Sequence, residues 1–78
     1  SIFVYGDNIL TIFAYGNQMV IYRDAHFDSK IPLDTSDLEV LEMVVDSSKS
    51  KILILAKTKT NTLKNYIVSI ANNFQVTS

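Results

Sequence analysis

The stretch Lys51 to Phe74 constrains this chain most, because an unbroken apolar run, KILILAK, gives way after the polar TKTNT to LKNYIVSIANNF. In the second half Leu63, Tyr66, Ile67, Ile70, Ala71 and Phe74 fall at the i, i+3, i+4, i+7, i+8, i+11 spacing of one helical face. Thr60, Asn61 or Thr62 is placed to cap such a helix, and Val68 is the apolar residue left off the stripe. The same segment also reads as a strand, since Tyr66, Val68 and Ile70 alternate and the composition is rich in β-branched and aromatic side chains. Pattern alone leans to the helix and leaves the strand open. The four consecutive apolar residues Ile52 to Leu55 imply a strand buried on both faces. A sheet on one side and an amphipathic helix over 63–74 on the other would supply that burial, and a helix this short is stable only when packed.

Everything upstream reads as sheet. Ile2-Phe3-Val4-Tyr5-Gly6-Asp7 is echoed ten residues later by Ile12-Phe13-Ala14-Tyr15-Gly16-Asn17. Each copy ends in residues that tolerate φ > 0 or bond their own backbone, set between β-branched and aromatic runs. This predicts a three-strand meander, Ile2 to Tyr5, Ile9 to Tyr15 and Met19 to Arg23, punctuated by the two glycines of the chain. Asp24 to Lys30 is polar and predicts a loop. Pro32 denies a donor to any ladder and marks an edge strand or a strand end, and Asp34-Thr35-Ser36-Asp37 predicts a turn. Leu38 to Val45 alternates imperfectly. Ser36-x-x-Glu39 fits a helical capping box, but the Val44-Val45 ending and the turn-forming Asp46-Ser47-Ser48 favour a strand.

With 78 residues the chain is at most one small domain. Its expected stability is about 4 to 12 kcal/mol, from roughly 0.05 to 0.15 kcal/mol per residue. No cysteine is present, which excludes a thiol nucleophile, a Cys-ligated zinc and an iron–sulfur cluster, and favours an intracellular, cytoplasmic setting. No run approaches the roughly 18 apolar residues of a membrane span, and the start lacks the basic and apolar regions of a signal peptide. That start, SIFVYG, is already strand-like, which suggests an excised piece or a subunit of a processed protein.

Catalysis finds little support. There is one histidine, no G-x-S-x-G elbow, no G-x-x-x-x-G-K loop, and no sign that Asp34, Asp37, Glu39, Glu42 and Asp46 converge in an apolar pocket. Asp24, His26 and Asp28 alternate and would project three metal-ligand types to one side of an extended segment. With no fourth ligand indicated, solvated loop residues are the preferred reading, so no metal and no cofactor is expected. The net charge of −1 and the embedding of Tyr and Phe in strand patterns argue against nucleic acid, and nothing marks a small-molecule substrate.

Ile12 to Ile70 resembles a pleckstrin-homology domain, in particular the kind attached to Rho-family exchange factors. ILTIFAYGNQMVIYRD is similar to that family's second and third strands, and Ile31-Pro32-Leu33 to its fourth. Leu55-Ala56, followed by Tyr66 and Ile70, looks like its closing alanine and the aromatic-x-x-x-isoleucine of its C-terminal helix. The resemblance implies a helix over 63–74. The expected architecture is therefore α+β: residues 1–78 as a single PH-like domain or a fragment of one, a small antiparallel sheet or partly open barrel of about six strands capped by one C-terminal helix. Two departures stand out. Tyr66 stands where the family usually has tryptophan, and the first hairpin, Gly6 to Thr11, lacks the cations that phosphoinositide-binding members carry there.

Those departures shape the functional expectation, because a polyphosphorylated headgroup needs clustered cationic donors. The remaining cations are Arg23, Lys30, Lys49, Lys51, Lys57, Lys59 and Lys64; Arg23, Lys49, Lys51, Lys57 and Lys59 are the candidates to contact an anion, a lipid or a partner, with a solvated lysine face as the plainer reading. The expectation is a non-catalytic module that binds a protein partner and has at most weak phosphoinositide or membrane affinity. The alternative is a scaffold fragment made of β-propeller blades, because LEVLEMVVDSSKSKILILAKTKTNTLKNYIVSI also looks like three successive strands of a blade.

Overall fold

In the computed structural model, which describes residues 1–34 and 37–77, the regular elements among the described residues are all strands. They run β1 (Ile2–Tyr5), β2 (Asn8–Tyr15), β3 (Gln18–Arg23), β4 (His26–Pro32), β5 (Leu38–Val45), β6 (Lys51–Thr58), β7 (Leu63–Ser69) and β8 (Gln75–Thr77). Two four-stranded antiparallel meanders result, sheet 1 in the order β1-β2-β3-β4 and sheet 2 in the order β5-β6-β7-β8. Every neighbour in a sheet is also the neighbour in sequence.

The α+β expectation of about six strands and a capping helix is therefore corrected to all-β. The segment 63–74 forms β7, a turn and the approach to β8, and the helical stripe is coincidental. Three of its members, Tyr66, Ile70 and Phe74, are buried, but Leu63 is 62% exposed, Ile67 is 42% exposed and Ala71 faces solvent. Val68, the residue off the stripe, is fully buried. Period 2 rather than 3.6 decides which side chains enter the core. The residues expected to cap the helix close the β6–β7 hairpin instead. Thr58 N–H donates to Thr62 O (2.9 Å), Asn61 N–H to Thr58 O (3.0 Å), and Asn61 takes φ 63°.

Hairpin chemistry sets the register. Gly6 (φ 60°) and Gly16 (φ 61°) each occupy the first central position of a two-residue loop, between Tyr5↔Asn8 and Tyr15↔Gln18. This is the arrangement of a type II′ hairpin, which needs a residue free of the Cβ clash at φ > 0. The β3–β4 loop is different: Asp24 (φ 51°) and Ala25 (φ 68°) are both left-handed, as a type I′ turn requires. Asp24 is held there by its own carboxylate, which accepts Ile9 N–H (2.8 Å) and Asn8 Nδ2 (2.7 Å). Ala25 has no such compensation. Ala25→Gly should therefore raise the unfolding free energy by roughly 1 kcal/mol, the usual cost of a left-handed L-residue, as read by urea titration.

The expected loop Asp24 to Lys30 is instead this turn plus β4. Its polar sequence is compatible with a strand because β4 is an edge strand, mostly exposed. A register shift opposite Ile21/Tyr22 lets Tyr22 pair with Phe27 after Ile21 pairs with Ser29. A second shift, between Val40 and Glu42, explains the imperfect alternation of LEVLEMVV. Leu41 is the extra residue, so Leu38 and Val40 before it and Met43 and Val45 after it all share the inward face. The strand expected at Leu38 to Val45 has those bounds.

The two sheets pack inner face on inner face. Leu10, Ile12, Met19 and Ile21 of sheet 1 join Ile52, Ile54, Ala56, Tyr66 and Val68 of sheet 2 in one cluster, closed by Ile70 and Phe74 from the β7–β8 turn. Leu33 and Leu38, on either side of the link between the sheets, are buried with them. The expected turn Asp34–Asp37, like the Ser36-x-x-Glu39 capping box, falls partly on residues 35 and 36, outside the described residues.

Candidate interaction surface

Strand alternation that puts one set of side chains into the core necessarily puts the other set on the opposite face. In this protein that other set is also apolar. On sheet 2 the strand expected to be covered on both sides, Ile52 to Leu55, is covered on one. Ile52 and Ile54 are in the core, while Leu53 is 46% exposed. Leu53 lies in a cross-strand row with Val44 and Ile67, both also more than 40% exposed. Beside this row runs Glu42, Leu55 and Asn65, and together the six residues line an open hollow.

Sheet 1 presents a ridge on its outer face. Phe13 stacks on Tyr22 (centroids 6.0 Å apart, planes at 20°), and Tyr22 meets Phe27 edge-on (5.9 Å, 84°). Such pairs are favourable beyond their buried area, and they hold the aromatics as a rigid strip. Val4 and Ile9, directly paired, flank it. Reading Leu53 as core missed this surface. Its sequence signal was nonetheless present in Ile52 to Leu55, where two residues serve the core and two the outer face.

The cations singled out from the sequence do not converge. Lys49 and Lys51 sit at the β5–β6 end of sheet 2, Lys57 and Lys59 at the opposite end of β6, and Arg23 at the end of β3 in sheet 1. Three are engaged with carboxylates: Arg23 with Asp28 (3.6 Å), Lys57 with Glu39 (3.4 Å) and Lys59 with Asp37 (2.8 Å). The last pair is fully exposed. Its hydrogen bond and charge lower the Asp37 carboxyl and raise the Lys59 ammonium from their usual values. Lys49, in a left-handed conformation (φ 59°), donates its backbone N–H to Asp46 O (2.9 Å).

The titratable groups with shifted pKa values have structural partners. Asp24 is lowered by the Ile9 amide and then the Asn8 side chain. At Asp46 a desolvation that raises the pKa is outweighed by the Ser48 hydroxyl and the N–H groups of Lys51, Ser50 and Lys49, which lower it. His26 Nδ1 lies 2.9 Å from Asp24 O, and Asp28 faces Arg23. Among the described residues no three His, Asp or Glu side chains are grouped to hold a metal ion.

Asp34 anchors the junction between the sheets. Asn17 receives Leu33 N–H on its carbonyl (2.7 Å) and donates its side-chain amide to Asp34 O (3.0 Å). The Asp34 carboxylate then accepts Tyr66 Oη–H (2.5 Å) and Lys64 Nζ (3.0 Å) from β7. Burial first, and then the hydrogen bond and charge of Asp34, push the Tyr66 phenol up to about 12. A raised folded-state pKa on an acid means that the unfolded chain loses its proton first. The resulting stability is complete below about pH 10, the ordinary tyrosine value, and is lost as pH rises toward 12. Tyr66→Phe should remove this alkaline loss from the thermal midpoint measured between those pH values.

No family model matches the chain, and no curated protein or solved structure matches it either.

Proposed function

We propose that the chain forms two successive blades of a β-propeller-type scaffold, a non-catalytic module whose task is to hold a protein partner. One observation carries this reading: both outer sheet faces bear cross-strand rows of large apolar side chains. A two-sheet sandwich complete in itself would turn polar residues outward along each strand. A propeller blade is packed on both faces, by the blade before it and the blade after it. The meander order within each sheet and the short link, residues 33–37, between the last strand of one and the first of the next agree with it.

The scaffold role is supported by the chemistry of the surface. Its shifted acids and bases are tied into turns, ion pairs and the Asp34 junction, and Arg23, Lys57 and Lys59 are partly neutralised by neighbouring carboxylates. Attraction to anionic membranes would then rest mainly on Lys30, Lys49 and Lys51, at about 1 kcal/mol per exposed lysine, screened within a Debye length.

The reading is tested with an environment-sensitive hydrophobic dye. At high dilution the chain should bind the dye, and Leu53→Gln with Ile67→Gln should reduce that binding with the circular dichroism spectrum unchanged. A dilute wild-type chain that leaves the dye dark would mean that the outer faces have no need of neighbouring sheets.

A further inference from the structure

The two outer faces differ in shape and in charge, and the differences are complementary. Sheet 1 offers the ridge Phe13–Tyr22–Phe27, and sheet 2 the hollow lined by Val44, Leu53 and Ile67. Lys30 lies in the same cross-strand row as Phe13 and Val20, and Glu42 lies at the edge of the hollow. Neither has an ion-pair partner among the described residues. The other charges on the outer face of sheet 2 are the adjoining row of Glu39 and Lys57 and, two rows the other way, Lys51. Glu39 and Lys57 pair with each other, and Lys51 is at the far end of β6.

We infer that the occupant of each outer face is a second copy of this chain, docked head to tail, with sheet 2 of one copy on sheet 1 of the next. This rests on the blade reading above and names the neighbour. Pairing either face with itself would set ridge against ridge and Lys30 against Lys30, or hollow against hollow and Glu42 against Glu42. Cross-pairing fits ridge to hollow and cation to anion. It also continues the order already present inside the chain, where sheet 1 is followed by sheet 2 through their inner faces. A repeated heterologous contact either closes into a ring or runs on as a filament. Two sheets per copy give rings of four, six or eight sheets for a dimer, trimer or tetramer, within the typical propeller range of about four to eight blades.

Sedimentation velocity of the 78-residue chain over a wide concentration range tests this. A discrete dimer, trimer or tetramer is expected. Leu53→Glu on one face and Phe13→Lys on the other should each yield folded monomers. Mixing these two variants should give a dimer and nothing larger, since each retains one intact face of opposite kind. Lys30→Glu and Glu42→Lys should each weaken assembly on the order of tenfold, and the double exchange should restore it. A double exchange no better than the singles overturns the head-to-tail contact. A wild-type chain that stays monomeric yet binds the hydrophobic dye overturns self-docking and leaves the blade reading intact. A monomer that binds no dye overturns both.

Discussion

Val68→Asp is expected to leave the protein unfolded at neutral pH, while Ile67→Asp, one residue away, leaves it folded. Val68 is fully buried between the sheets, and its neighbour Ile67 points to the outer face. A carboxylate at position 68 would be enclosed by the inner-face cluster with no cation beside it. Several kcal/mol are lost when a buried charge goes unpaired, a large part of the roughly 4 to 12 kcal/mol available to a chain of this size. At position 67 the aspartate meets solvent in the dilute monomer, so the monomer's stability should change by no more than about 1 kcal/mol, mostly through lost β propensity. Circular dichroism and urea titration of the two variants read the difference. On a helix over 63–74 the order would reverse, because Ile67 belongs to the apolar stripe and Val68 does not. A folded Val68→Asp protein would therefore refute the strand assignment.

Tyr66→Ala should cost about 3 to 5 kcal/mol, the range for deleting a buried aromatic. The ring is only 2% exposed within the inner cluster, and its hydroxyl also reaches Asp34 at the link between the sheets. Tyr66→Phe separates the two contributions. It keeps the packing and removes the hydroxyl from a carboxylate that Lys64 still holds, so roughly 1 to 2 kcal/mol should be lost. Urea unfolding of both variants measures the split. A loss below 1 kcal/mol for Tyr66→Ala would mean that the cluster rearranges to fill the space.

Much of the sheet was legible in the sequence. The strands expected from the SIFVYG echo match β1 to β3 to within a residue at either end, because Gly6 and Gly16 punctuate them unambiguously. β5 and β6 were readable from Leu38 to Val45 and Lys51 to Lys57. Of β4 only the end was, at Pro32 on an edge strand; the rest was not, since an edge strand pays little for polar side chains and its turn, Asp24-Ala25, lacks the glycine that usually announces a type I′ hairpin. The C-terminal segment was ambiguous for a different reason. Tyr66 and Ile70 satisfy both periods, so only Leu63, Ile67, Val68 and Ala71 distinguish strand from helix, and the family resemblance weighed the wrong way.

The candidate surface was the least legible part. A run such as Ile52 to Leu55 states that both faces of a strand are apolar, but a sequence does not say what covers them. A helix, a second sheet of the same chain and a sheet of another copy all satisfy the same pattern.

Local sequence alone determined where most strands begin and end and several of the turns that join them, because φ preferences at Gly6 and Gly16 and the Asp46 turn act over a few residues. It also determined that both faces of the strand Ile52 to Leu55 are apolar. The tertiary structure alone decided that sheet 1 covers one face of sheet 2, that Asp34 is drawn to Tyr66 and Lys64 across the link, and that the bulge at Leu41 returns Met43 and Val45 to the core. Those outcomes depend on contacts between residues distant in the sequence, 30 and 32 positions apart for Asp34 with Lys64 and Tyr66, and such contacts are selected by shape and burial in the assembled core rather than by any local preference.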